Sequence, residues 1–83
     1  MTLIVYIKYF SILAQITKKR SEAVEVYNGQ TLNHIMDILV KRYPEMELYI
    51  PYIRAAVNQD YVTLDYEPSD QDEIAFITPV SGG

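Results

Sequence analysis

One helical pattern stands out in the chain, and segments that favour strands surround it. Between Thr31 and Pro44, apolar side chains recur at the spacing of an amphipathic α-helix, namely Leu32, Ile35, Met36, Leu39 and Tyr43. Thr31 suits the N-cap position, and Pro44 disfavours helical geometry at the residue before it, so the helix is predicted near residues 32 to 42. An 83-residue chain forms one domain with one small core. One long helix on one face of a small sheet predicts an α+β fold.

The first predicted strand has two apolar faces. Residues 3 to 10, LIVYIKYF, are rich in β-branched and aromatic side chains. The two faces carry Leu3, Val5, Ile7 and Tyr9, which suit a core, and Ile4, Tyr6, Lys8 and Phe10, which are nearly as apolar. Such a strand lies centrally in a covered sheet, or its second face meets a partner. For Tyr6, Tyr9 and Phe10 we expect burial in the core rather than a place in an interface.

The other segments complete the order of elements. They predict a short helix from Ser11 to about Thr17, a strand over residues 22 to 27, a helical turn ended near Pro51, two short strands around a turn at Gln59-Asp60, and a last strand over residues 73 to 78. The long helix then supplies a right-handed crossover between strands of a mixed sheet. This is the outline of a β-grasp, or ubiquitin-like, domain.

The composition excludes most catalytic and metal-binding chemistry. The chain has no cysteine, hence no disulfide, thiolate zinc site or cysteine nucleophile, and its one histidine is His34. His34 lies on the polar side of the predicted helix without companion ligands, and we expect a solvated side chain. The acidic residues Asp65, Glu67, Asp70, Asp72 and Glu73 lack the glycine and spacing of an EF-hand loop, which favours a solvated turn over a calcium site. We therefore expect no metal and no bound cofactor.

Charge and hydropathy limit the partners and the location. Seven basic and 11 acidic residues give a net charge of -4, which argues against a nucleic-acid partner and makes a basic partner easier to accommodate. No run approaches the roughly 20 apolar residues of a membrane helix, so we expect a cytoplasmic protein without a membrane partner. The basic segment from Lys18 to Arg20 is expected to be an exposed loop, with a smaller chance of steering a partner.

The carboxyl end combines glycines with a free carboxylate. Gly82 and Gly83 are two of only three glycines in the chain. After Pro79, the residues 79 to 83 could extend roughly 16 Å from the domain at about 3.3 Å per residue, and glycine passes through slots too narrow for other residues. Activation as an acyl adenylate would let a sulfur, oxygen or nitrogen nucleophile take the carboxyl group. Since the chain has no ATP site and no thiol, other proteins would supply both; a frayed terminus is the alternative.

Three segments carry a resemblance to a known family. AAVNQ at residues 55 to 59, DQDEIAF at residues 70 to 76 and the terminal PVSGG together resemble the small subunits of molybdopterin synthase, a family of ubiquitin-like sulfur carriers. The resemblance spans the chain and is most specific in its last third. It implies a single sulfur-carrier domain over residues 1 to 83, with residues 79 to 83 as a flexible extended tail. It also implies a sulfur-carrying subunit of a sulfurtransferase complex rather than a catalyst in its own right.

The resemblance also implies a reaction cycle. An E1-like adenylyltransferase uses ATP in trans to adenylate Gly83, and a sulfur donor enzyme converts this end to a thiocarboxylate. The tail, with Ser81 and Gly82, then threads into the large synthase subunit, where a cyclic pyranopterin monophosphate precursor gains the molybdopterin dithiolene. The implied contact surface consists of Phe10, Tyr61, Ile77 and Val80. The chain departs from the family pattern at Thr78, where proline is common, and at Tyr61, where an aliphatic residue is typical.

Two alternatives remain open at the level of the sequence. The chain could carry sulfur for another pathway, such as tRNA thiolation or thiazole synthesis, although AAVNQ and the length weigh against the thiazole carrier. It could instead be a ubiquitin-like protein modifier whose Gly83 forms an isopeptide bond with lysine. Both use the same activated glycine, so the sequence separates them poorly.

Overall fold

A computed structural model describes residues 1–78. Its elements are β1 (Thr2–Tyr9), α1 (Ser11–Thr17), β2 (Ser21–Tyr27), α2 (Leu32–Arg42), a 3-10 helix (Pro44–Tyr52), β3 (Arg54–Val57), β4 (Asp60–Val62) and β5 (Glu73–Ile77). The order and the type of element agree with the prediction, and the expected helical turn before Pro51 is the 3-10 helix.

The five strands form one mixed sheet in the order β2-β1-β5-β3-β4. β1 pairs in parallel with β5, whereas the β1–β2, β3–β4 and β3–β5 pairs are antiparallel. The first and last strands of the chain are thus neighbours at the centre, which requires a crossover through α2. This confirms the β-grasp arrangement.

The core lies between α2 and one face of the sheet. In β1 the side chains of Val5, Ile7 and Tyr9 are at most 3% exposed, in agreement with the predicted core face. The four predicted core residues of α2, which are Leu32, Ile35, Met36 and Leu39, are at most 2% exposed. The expectation that Tyr6 and Phe10 are also buried is wrong, because they are 40% and 46% exposed on the other face. Alternate residues of β1 point to opposite faces of the sheet, and within residues 1–78 no helix covers the second face.

The amino terminus of α2 gives His34 a structural role. The Thr31 N–H donates to Nδ1 of His34 at 3.1 Å, and the Thr31 side chain accepts from the His34 backbone, which together form a reciprocal capping box. Thr31 is therefore the N-cap, as predicted. His34 is exposed, as expected, but it is more than a solvated side chain, because it satisfies a backbone donor that the helix leaves free.

The hairpin between β3 and β4 turns one residue earlier than predicted. Its turn residues are Asn58 and Gln59, with φ values of 50° and 77°, and Asp60 already belongs to β4. Two-residue hairpins favour turns with positive φ at both central positions, and asparagine tolerates that conformation better than most residues. The side chain of Asn58 adds hydrogen bonds that the sequence pattern did not reveal.

Candidate functional site

The parallel pairing of β1 and β5 determines where the chain leaves the sheet. Tyr9 is in register with Phe76, so Phe10 and Ile77 follow at the same end of two adjacent strands. Thr78 is the last described residue. The carboxyl-terminal segment therefore begins next to Phe10, at the end of the sheet where β1 also ends.

A shallow groove crosses the open face of the sheet, which is the face opposite α2. It has a volume of about 280 Å³ and is lined by Lys8, Phe10, Ala56, Gln59, Tyr61, Glu73, Ala75 and Ile77. Ala56 and Ala75 are directly paired and form its floor. The exposed rings of Phe10 and Tyr61 border it, with Tyr61 73% exposed. Small floor residues between aromatic side chains leave room for an apolar side chain of another protein.

The groove brings together three of the four residues expected in the partner interface. Phe10, Tyr61 and Ile77 come from three different strand regions and line the same groove. Val80, the fourth, lies outside the described residues, as do Ser81, Gly82 and Gly83. The structure thus brings these three residues together near the end of β5, and their role in a partner interface stays a prediction.

An ion pair lies within this otherwise apolar face. The Lys8 Nζ is 3.1 Å from the Glu73 Oε1, and both side chains are 45% exposed. A protein that covers the groove must leave this pair partly solvated or give it polar contacts, because burial of an ion pair costs free energy. The pair therefore contributes selectivity more than affinity.

Asn58 explains why AAVNQ and DQDEIAF occur together in this chain. Its Nδ2 donates to the Asp72 Oδ1 at 3.1 Å, and its Oδ1 accepts from the Glu73 N–H at 3.1 Å. The Asn58 N–H also donates to the Glu73 carbonyl at 2.9 Å. These bonds attach the β3–β4 turn to the start of β5. The two segments therefore hold each other in place where the β3–β4 turn meets the start of β5.

The acidic residues before β5 form an ordered turn, not simply a solvated one. The Asp70 carboxylate accepts from the Ile4 N–H at 2.8 Å, and the Asp72 carboxylate accepts from the Ser69 N–H at 2.8 Å. Asp72 is 8% exposed. The expectation of a solvated turn is thus wrong for Asp72, because neighbouring backbone donors need acceptors. Asp70 is exposed, as expected, although it also binds the Ile4 N–H. Asp65 and Glu67 remain exposed, as expected.

A cluster around Glu22 was not anticipated from the sequence. Its Oε2 accepts hydrogen bonds from the Tyr9 hydroxyl at 2.6 Å and the Tyr43 hydroxyl at 2.9 Å. Its Oε1 lies 3.6 Å from Lys19 Nζ and 3.4 Å from Arg42 Nη1. The only local indication was the spacing of Lys19 and Glu22; the other partners are distant in the sequence.

Electrostatics within this cluster favour a charged Glu22. Burial alone would raise the pKa of its carboxyl group, but the hydrogen bonds from Tyr9 and Tyr43, with the two nearby cations, hold this pKa below its usual value. Burial, and next the hydrogen bond to Glu22, raise the pKa of the Tyr9 hydroxyl. At neutral pH, Glu22 is therefore charged and the Tyr9 hydroxyl is protonated. The cluster joins β1, β2 and the end of α2, and its role is structural.

Residues 1–78 contain neither a metal-binding cluster nor a membrane-spanning helix. In that range, no group of three or more histidine, aspartate or glutamate side chains is placed to hold a metal ion. Within the same range, no helix has both the length and the apolar character needed to cross a bilayer.

Comparisons with known proteins agree with this architecture. The model of the ThiS family matches residues 7–83. The molybdopterin synthase sulfur carrier subunit of Mycobacterium tuberculosis is 39% identical over 62 residues, which cover 75% of each chain. The crystal structure of SAMP1 from Haloferax volcanii has a TM-score of 0.85 and 27% identity, covering 96% of this chain and 99% of its own.

The fold also occurs in a solved complex of two proteins. A structure of subunits 1 and 2 of the molybdopterin-converting factor from Helicobacter pylori matches with a TM-score of 0.69 and 21% identity, covering 98% of this chain and 100% of the matched chain. At that identity the likeness concerns the fold.

Proposed function

The chain belongs to the ThiS family, and on that premise we propose that it is the sulfur-carrier small subunit of a molybdopterin synthase. In this proposal the carboxyl group of Gly83 carries the sulfur as a thiocarboxylate. The large synthase subunit takes the tail and transfers the sulfur to a cyclic pyranopterin monophosphate precursor. Two such transfers, each from one thiocarboxylate, supply the two sulfur atoms of the molybdopterin dithiolene.

The observation that carries the proposal is the position of the tail relative to the groove. The chain leaves the sheet at Ile77, beside Phe10, and both residues line an exposed apolar groove. A partner that docks on the groove has the start of the tail at the edge of its footprint. Binding energy from the docked face can then position the residues that follow Thr78 in the partner.

The chemistry assigns each step to a different protein. An E1-like adenylyltransferase joins the Gly83 carboxylate to AMP and releases pyrophosphate from ATP. A sulfur donor enzyme supplies a sulfur nucleophile that displaces AMP and leaves the thiocarboxylate. The carrier contributes the reacting terminus and the docking face, and it is not a catalyst in its own right. Because activation consumes ATP, we place the cycle in the cytoplasm.

Mass spectrometry of the activated chain tests the proposal. The intact chain is incubated with ATP, the adenylyltransferase and a sulfur donor, and fragmentation should locate one exchange of oxygen for sulfur at Gly83. The matched control is the same chain extended by one alanine after Gly83, which keeps the domain unchanged. An unmodified Gly83 under conditions that convert another carrier would contradict the proposal.

Similarity to SAMP1 supports a second candidate, since SAMP1 is a small archaeal modifier protein. In this alternative a lysine amine displaces AMP from Gly83 and forms an isopeptide bond. Purification from native cells under denaturing conditions separates the candidates, because a modifier yields a ladder of conjugates. If the chain is the sulfur carrier of a molybdopterin synthase, purification under native conditions should instead recover the large synthase subunit. If the chain serves tRNA thiolation, the same purification should recover another sulfurtransferase.

A further inference from the structure

Charge on the sheet side of the molecule is divided between its two ends. β1 runs from an acidic end, near Ile4, to the end where Phe10 lies and the tail begins. Six residues of extended strand separate these points by about 20 Å at about 3.3 Å per residue. The net charge of -4 does not reveal this division, because it sums the charges of the whole chain.

The first cation at the tail end is Arg20. The Tyr9 N–H donates to the Arg20 carbonyl at 2.9 Å, which fixes the loop against the end of β1. Arg20 is exposed, and it lines a surface depression together with Phe10, one of the two aromatic borders of the groove.

The second cation lies on the opposite side of the groove. Arg54 is directly paired with Ile77, the last residue of β5, and it is exposed. It lines a second depression together with Tyr61, the other aromatic border of the groove. Among residues 1–78, the salt bridges involve Lys8, Lys19 and Arg42, and neither Arg20 nor Arg54 takes part in one.

The far end of the sheet carries carboxylates instead. Asp70 binds the Ile4 backbone, and the Glu67 side chain lies 4.0 Å from the position of a Cβ on Gly29, which follows β2. Asp65 and Asp60 lie in the same part of the molecule, next to the start of α2 and the β3–β4 turn. Arg20 and Arg54 therefore lie at the end of the sheet where the tail begins, and the exposed carboxylates of Asp60, Asp65, Glu67 and Asp70 lie at the opposite end.

We infer that Arg20 and Arg54 pair with carboxylates on the rim of the slot that receives the tail in the large synthase subunit, and that this pairing orients the encounter. The inference rests on the proposed function, since it requires a protein that takes up the tail. Guanidinium groups suit carboxylates because their planar donors match two oxygens, and exposed arginines lose little hydration on pairing. The acidic end would be repelled by the same rim, so productive orientations are favoured before contact.

Stopped-flow association with the large subunit tests this role. For the unaltered chain, the association rate constant should fall as ionic strength rises from about 20 to about 300 mM, because exposed charges are screened. The double variant Arg20→Gln, Arg54→Gln should associate about tenfold more slowly at low salt and show little salt dependence, with a dissociation rate changed less than twofold. The variant Arg20→Lys, Arg54→Lys keeps both charges and should retain most of the rate.

Lys41→Gln is the matched control for removal of a positive charge. Lys41 is exposed on α2, in the layer across the sheet from the groove. The association rate constant of the Lys41→Gln variant should stay within about twofold of that of the unaltered chain. Circular dichroism should confirm that every variant is folded.

The outcomes separate this inference from the proposed function. If the unaltered chain binds and delivers sulfur but its association is insensitive to salt, or if the arginine variant behaves like Lys41→Gln, the steering role is wrong and the proposed function stands. A change confined to the dissociation rate would also overturn steering. If the unaltered chain does not bind the large subunit at all, both fall together.

Discussion

The two faces of the sheet use similar residue types for different purposes. On the covered face, Val5, Ile7 and Phe76 are fully buried against the helices. On the open face, Phe10 and Tyr61 are about as apolar and remain exposed around the groove. Phe10 directly follows β1 and Tyr61 lies in β4. The covered face should therefore determine the free energy of unfolding, and the open face the affinity for a partner.

This difference makes each apolar residue interpretable by its position. A side chain that folding buries contributes to the stability of the domain. A large apolar side chain that stays exposed on a sheet face contributes a favourable free energy only when a partner covers it. The open face also contains the ion pair of Lys8 and Glu73, whose side chains are about half exposed. Such a pair is typical of a surface and not of a core. β5 ends at Ile77, which lines the groove on this second face, so under the proposed function partner binding would be linked to the chemistry at Gly83.

Deletion of Gly83 should produce the largest effect and the cleanest separation of stability from function. Without this residue the reactive carboxyl group is on Gly82 and ends one residue short, so sulfur transfer in the reconstituted synthase should be lost. The midpoint of denaturant unfolding should not change, because the domain's core and the groove are untouched. Full synthase activity in the truncated chain would refute the role of the tail.

Leu39→Ala should have the converse effect. Leu39 is fully buried, so the substitution should lower the free energy of unfolding by roughly 2 to 5 kcal/mol, measured by urea denaturation. At temperatures where the variant is folded, its affinity for the large subunit should remain close to that of the unaltered chain. A loss of affinity in the folded variant would show that the two faces are coupled.

Phe10→Asp should affect the partner without the fold. Phe10 is 46% exposed, so a carboxylate there is solvated in the free carrier and desolvated in the complex. We expect calorimetry to show a dissociation constant at least tenfold larger, which corresponds to about 1.4 kcal/mol of binding free energy. Tyr61→Asp should act similarly, and Tyr27→Asp is the matched control, since Tyr27 is 66% exposed away from the groove. Equal effects at all three positions would refute the proposed docking face.

Features that depend on the spacing of apolar residues could be predicted from the sequence. Hydrogen bonds between residues far apart in the chain could not. The helix from Leu32 to Arg42 and the core face of β1 followed from spacing alone. The contact residues Phe10, Tyr61 and Ile77 were reached only through the resemblance, although the second apolar face of β1 suggested an interface. Asn58 with Asp72 pairs positions 14 residues apart, and such partners have no local pattern.

Glu22→Gln should have the smallest effect, and that effect should depend on pH. The pKa of Glu22 in the folded chain is below the ordinary glutamate value of 4.5, so its charge stabilises the fold fully above about that pH and progressively less as pH falls through the folded pKa. Near pH 7 the substitution should lower the free energy of unfolding by about 1 kcal/mol, because weaker hydrogen bonds to Tyr9 and Tyr43 replace charge-assisted ones. In a series of urea titrations, the difference from the unaltered chain should shrink as the pH falls through the lowered pKa of folded Glu22. Glu25→Gln, an exposed change on the same strand, should show little difference at any pH. A Glu22→Gln deficit that stays constant across the series would mean that packing, rather than the charge on Glu22, holds β1 and β2 to the end of α2.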